Sequence, residues 1–95
     1  MFVVSLTYKV PLEEIDRLGP AHRDWLKQGY AEGAFVASGP KRPRTGGIII
    51  ARGDVEALRA RLAEDPFAKA GAADHEITEF AAAFVADGLE LYRDP

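Results

Sequence analysis

Apolar side chains change their spacing several times along this chain, and each change marks a new element. Residues 2–8, FVVSLTY, are rich in β-branched and aromatic side chains and stop before Pro11, which predicts a strand, β1. From Pro11 to Gly33 the spacing is helical, but Gly19-Pro20 interrupts it. Proline is tolerated at the first helical position and costs about 3 kcal/mol inside a helix, so the main helix, α1, is expected to start at Pro20. Within α1, Trp25, Leu26, Gly29 and Tyr30 recur as one buried stripe, Arg23, Asp24, Lys27 and Gln28 face water, and Gly33 is the C-cap.

Residues 34–38 (AFVAS) and 47–52 (GIIIAR) read as strands β2 and β3, joined through a loop at 39–46 with two prolines and three basic residues. That loop predicts a wide hairpin. Asp54 caps a helix, α2, whose inward face is Val55, Leu58, Leu62 and then Phe67, and Asp65-Pro66 ends it. A short turn at 66–71 leads to β4, expected from His75 to about residue 85 with Ile77, Phe80 and Phe84. The tail, 87–95, has no clear period. The order βαββαβ is the ferredoxin-like α+β pattern, a four-stranded antiparallel sheet with two helices on one face.

Both alternations of β1 and β3 are apolar, as in Phe2, Val3, Val4 and Leu6 or Ile48, Ile49 and Ile50, so the face without helices needs a cover. Closed two-fold dimers are the commonest oligomers, and the expected partner is a second copy stacked through the open sheet face. Residues 81–95 form a C-terminal extension within reach of that contact.

Composition narrows the function. Ninety-five residues allow one domain, 1–95, and 47% hydrophobic with 28% charged residues is a globular balance. There is no cysteine, which excludes disulfides, thiolate zinc sites, iron–sulfur clusters, a cysteine nucleophile and covalent haem. Homo-oligomerisation is then the leading source of extra stability for so small a domain. A net charge of −3 argues against nucleic acid as a partner. The longest apolar run, 80–86, is far short of the roughly 20 residues that span a bilayer, and residues 1–5 lack a basic leader, so a cytoplasmic protein with no membrane partner is expected.

Candidate chemistry begins with His22, read at the third position of α1, where the helix dipole favours a neutral imidazole that can act as a base. A histidine that packs at a helix start or bonds a loop carbonyl is the plainer alternative. In a split sheet β1 and β2 run one way and β3 and β4 the other. That topology gathers His22, Ser38-Gly39, Asp65 and Asp74-His75 at one edge. There Asp65 can orient His22 and stabilise its protonated form. Asp before Pro is equally the N-cap pattern of the turn at 66–71, and both readings stand at this point.

Arg44 can grip a carboxylate bidentately, while Lys41 and Arg42 read as solvated loop. Ser38-Gly39-Pro40 either exposes a hydroxyl and a backbone N–H to a ligand or simply leaves the strand. An acyl-transfer triad of Ser38, His22 and Asp65 lacks a nucleophile elbow. His75, between Asp74 and Glu76, makes no spaced ligand motif with His22, so no metal and no cofactor are expected.

Pro20-Ala21-His22, Gly33, Ala37-Ser38-Gly39-Pro40, Pro43-Arg44-Thr45-Gly46-Gly47, Asp65-Pro66-Phe67 and Ala70-Gly71, in this order and spacing, resemble the YciI-like (YCII-related) family over residues 1 to about 80. The resemblance implies a ferredoxin-like fold, homodimers of the dimeric α+β barrel type, a cleft-facing His and Asp at His22 and Asp65, and a cleft position for Ser38 and Gly39. Some members of the family are dehydrochlorinases acting on chlorinated hydroxyhydroquinones. The chain departs from the pattern at Ala73, where some members carry an aromatic residue, and in its extension at 81–95.

The expected function is a small cofactor-independent enzyme, a lyase or a hydrolase. In it His22 and Asp65 move a proton while Ser38, the Gly39 N–H and Arg44 hold a small anionic or enolic substrate. A non-catalytic module that binds a small organic acid or phenol, and a purely structural dimer, are the alternatives.

Overall fold

The β-branched run at the N-terminus forms the centre of the sheet in the computed structural model, which describes all 95 residues. Strand β1 (Phe2–Tyr8) lies between β3 (Gly46–Ala51) and β4 (Ala73–Glu79), and β2 (Phe35–Pro40) is the outer neighbour of β3. Every pairing is antiparallel, so β1 and β2 run one way and β3 and β4 the other. The register sets Val4 of β1 opposite Ile49 and Ile77, and Leu6 opposite Gly47 and His75.

Alternation along β1 sends Phe2, Val4 and Leu6 into the core, each no more than 2% exposed. They meet Ile15 and Trp25 of α1 (Leu12–Ala31), Leu58 and Leu62 of α2 (Val55–Ala63), and Phe67 of α3 (Pro66–Lys69). Burying each such side chain contributes roughly 1.5–3 kcal/mol. The fold is ferredoxin-like α+β, a four-stranded antiparallel sheet with its helices on one face. On the other face Val3, Ile48 and Ile50 are only half-buried. No helix is long and apolar enough to cross a membrane.

Four elements differ in their bounds from the sequence expectation. Helix α1 begins at Leu12, and Pro20 lies inside it. Buried Ile15 and half-buried Leu18 dock the first turns on the core, which offsets the roughly 3 kcal/mol cost of an internal proline. His22 therefore sits midway along a 20-residue helix and not at its start. The helix-end field has faded there, so the dipole argument for a neutral His22 does not apply.

Strand β2 runs on through Pro40, which the outer strand tolerates because its free edge needs no N–H donor, and the hairpin loop shrinks accordingly. Helix α2 closes at Ala63, and Phe67 belongs to the separate helix α3. Strand β4 starts at Ala73 and ends at Glu79, short of residue 85, because its partner runs out. Glu79 pairs with Phe2, and the Phe80 N–H makes the last rung to the Met1 carbonyl at 2.9 Å. Phe84, expected within β4, lies beyond it and is 96% exposed.

Beyond that point the chain loops back on itself. Asp94 accepts the Ala82 N–H at 2.6 Å and pairs with the N-terminal ammonium at 3.3 Å, and the Arg52 guanidinium lies 5.3 Å from the centre of the Tyr92 ring. Those two hydrogen bonds outweigh partial desolvation to hold the Asp94 carboxyl below its usual pKa.

Candidate active site

Three separate segments meet at one buried carboxylate. Asp65 precedes α3 and is fully buried. Its Oδ1 accepts the Phe67 backbone N–H at 3.0 Å, which caps α3, and the His22 Nδ1 hydrogen at 2.7 Å. Its Oδ2 accepts from His75 Nε2 at 2.9 Å. The two readings of Asp65, cap and histidine partner, are therefore both present in one atom.

Burial alone raises the Asp65 carboxyl pKa. The hydrogen bonds from His22 and His75, the attraction of His22, and the Phe67 N–H together outweigh burial, so the pKa is lowered and Asp65 is a carboxylate. A carboxylate only accepts, so a neutral His22 carries its proton on Nδ1 and a neutral His75 carries its proton on Nε2.

His22 is held from several sides. Its ring stacks on Phe67 with centres 3.9 Å apart and planes 11° from parallel, and Trp25 lies 5.5 Å away. Trp25 in turn donates its indole N–H to the Arg61 carbonyl at 3.1 Å, tying α1 to the end of α2 that leads into Asp65. The imidazole is 14% exposed. No buried side-chain nitrogen or oxygen lacks a partner, and His22 Nε2 has no protein partner, so this atom opens to solvent.

It opens onto a cleft of about 560 Å³ between α1 and strands β2 and β3, within the size range of small-molecule sites. Leu26, Ile49 and Phe67 give it an apolar wall, and His22, Arg23, Ser38, Gly39 and Arg44 supply polar groups. Of the sequence candidates, His22, Ser38, Gly39 and Arg44 line the cleft, and Asp65 stands behind His22. Lys41 and Arg42 stay outside it.

Two of these groups already have partners. Ser38 Oγ lies 2.7 Å from the Tyr30 hydroxyl and makes no bond to His22, so the three residues of the imagined acyl-transfer triad are not assembled. Tyr30, expected in the buried stripe, is 40% exposed. Arg44 donates to Asp16 at 2.6 Å, and that carboxylate pushes the guanidinium pKa up.

The sequence reading brought His75 to this edge without giving it a role and left Arg23 in water, and the structure sets His75 behind Asp65 and Arg23 on the cleft. His75 shares the inward alternation of β4 with Ile77, so the period of that strand was a usable signal. Arg23 lines the cleft although the helical stripe assigned it to water. It folds back over Gly19, where a Cβ would lie 3.0 Å from its Nη1, and it forms no ion pair. Asp74 stays outside the cluster, on the opposite alternation, and pairs with Lys9 at 3.4 Å.

A family model for the YCII-related domain matches residues 1–81. The chain belongs to the YCII-related family. All the residues of the cleft and of the His22–Asp65–His75 cluster fall within the matched YCII-related segment. Among solved structures, the chain resembles the 5-chloro-2-hydroxyhydroquinone dehydrochlorinase of Burkholderia phenoliruptrix in complex with 2,5-dihydroxybenzoquinone. The TM-score is 0.70 at 19% identity, over 84% of this chain and 93% of that one, a likeness of fold. Among curated proteins none matches.

Proposed function

We propose that this YCII-related protein is a small enzyme working with its own side chains, in which His22 is the general base and Asp65 its orienting partner. The observation that carries the reading is one imidazole with Nδ1 tied to a buried carboxylate and Nε2 open to a cleft. A neutral His22 in this tautomer offers its Nε2 lone pair to a bound molecule, and Asp65 stabilises the imidazolium that forms. Arg23 and Arg44 bring two positive charges to the cleft against one negative charge on Asp16, which already pairs with Arg44. The Ser38 hydroxyl offers a hydrogen bond, whereas the Gly39 N–H faces Ile48 in the β2–β3 ladder. These groups suit a small organic acid, phenolate or enolate.

The fold neighbour, a dehydrochlorinase, supports an elimination. For a chlorinated hydroxyhydroquinone the step removes one proton and one chloride. The ring carbon that bears chlorine first gains a proton as the neighbouring hydroxyl becomes a carbonyl. His22 then takes the proton of the hydroxyl across the ring, its electron pair forms the second carbonyl, and the ring π bond shifts to the carbon from which chloride leaves with the C–Cl pair. The test is incubation of the protein with chlorinated hydroxyhydroquinones while chloride release and quinone absorbance are followed. Stoichiometric appearance of both is expected.

Tight binding of 2,5-dihydroxybenzoquinone without turnover of any such substrate would make the cleft a binding site for small phenols or acids. This second reading is favoured by the partners that Ser38 and Arg44 already hold.

The open sheet face supports a homodimer. Val3 is opposite Ile50 in the register and Ser5 opposite Ile48, so Val3, Ile48 and Ile50 form a continuous apolar strip on this face. Ile50→Glu would bury a charge in a two-fold contact. Light scattering should give a dimer mass for the wild type and a monomer mass for the variant. A monomeric wild type refutes the proposal.

A further inference from the structure

We propose that His75 is a positioning residue for His22, acting through Asp65. It rests on the reading of His22 as the base, and it assigns work to a histidine that never meets the cleft.

Asp65 sits in a short connection between two helices, and the rotation of its carboxylate about the Cβ–Cγ bond is open unless both oxygens are held. Oδ1 is shared by Phe67 N–H and His22. Oδ2 has one partner, His75. That partner stands on β4, an outer strand paired along its length with central β1, where His75 lies opposite Leu6. The His75 side chain is 11% exposed and its Nε2 points at a carboxylate with no exposure of its own.

Removing His75 leaves a fully buried carboxylate oxygen without a donor. An unmet buried acceptor is costly, and more so when charged, which favours protonation of Asp65. Protonated on Oδ1, the oxygen that faces His22, Asp65 becomes a donor and leaves Oδ2 a neutral carbonyl oxygen, which costs less to bury unmet than a charged one. Donating to His22 Nδ1 moves the imidazole proton to Nε2, and the lone pair that faces the cleft is lost. The consequence of losing His75 is thus a change of tautomer at a ring that His75 does not touch.

The experiment is ¹⁵N NMR of the imidazoles in the free protein, at a pH where both are neutral, for wild type, His75→Leu and His75→Gln. Wild type is expected to show His22 with hydrogen on Nδ1 and His75 with hydrogen on Nε2. In His75→Leu the His22 proton should move to Nε2 in most molecules. In His75→Gln, whose amide N–H can replace the donor, the Nδ1–H form should return. A residue that serves stability alone would leave the His22 tautomer unchanged.

A folded His75→Leu protein that keeps His22 in the Nδ1–H form overturns the proposal. If His75→Leu does not fold, wild type still decides, because a neutral His75 with hydrogen on Nδ1 cannot be the donor to Asp65. The underlying reading fails separately, when wild-type His22 itself carries hydrogen on Nε2.

Discussion

His22→Gln should lower the rate of chloride release by about 10²- to 10⁴-fold, the usual contribution of a positioned general base. Glutamine retains an N–H that can reach Asp65 but has no basic lone pair at the cleft. The variant isolates proton transfer from packing better than alanine does, because the ring at this site also stacks on Phe67. Arg23 and Arg44 remain on the cleft, so substrate binding should be nearly preserved and the loss should fall on kcat. Parallel steady-state kinetics, with circular dichroism to show a native fold, check this. Rates within a few-fold of wild type would remove His22 from the chemistry. A large rise in KM at constant kcat would reassign it to binding.

Why His22 is available for such a role shows what the chain discloses about its own fold. Strand β1 is legible because a β-branched run with apolar residues on both alternations has few other stable uses. The start of α1 is not, because local cost and tertiary gain oppose each other at Pro20. The proline penalty is visible in the sequence, whereas burial of Ile15 exists only once the sheet is present. The end of β4 is hidden for a similar reason. Ile77, Phe80 and Phe84 continue a plausible pattern, but the ladder stops where β1 has no further residue to pair.

The site divides in the same way. His22 and Asp65 could be named from the sequence because the topology of a split sheet brings their segments to one edge. Whether Asp65 is a cap or a histidine partner could not be decided, since a single oxygen does both jobs. For His75 the sequence offered only a metal reading that its spacing did not support, and the two flanking acids lie on the opposite alternation of β4. Arg23 was assigned to water because a helical stripe describes the core side only. It does not mark the border where a helix flanks a cleft, and there Gly19, four residues earlier, gives the arginine room to fold back.

Asp65→Asn should produce the largest change in the response to pH. The amide can still accept from Phe67 N–H and His22 on one side. Its NH₂ must face His75, which then has to accept where it donated. The cluster loses its negative charge, so an imidazolium at His22 is no longer stabilised, and turnover should fall together with thermal stability. An imperfectly satisfied buried polar group costs roughly 1–3 kcal/mol. The sign of the pH effect follows from the lowered pKa of Asp65 in the folded state. Its stabilising contribution is complete above the unfolded carboxyl value near ~3.9 and is lost as pH falls through the lower folded value. Thermal melts from pH 5 down to pH 2 should therefore show wild type losing its advantage over Asp65→Asn as acid protonates the carboxylate. An advantage that stays constant or grows across that window would mean that Asp65 is not held as a carboxylate. The three hydrogen bonds would then be those of a neutral acid, and neither histidine would owe its orientation to charge.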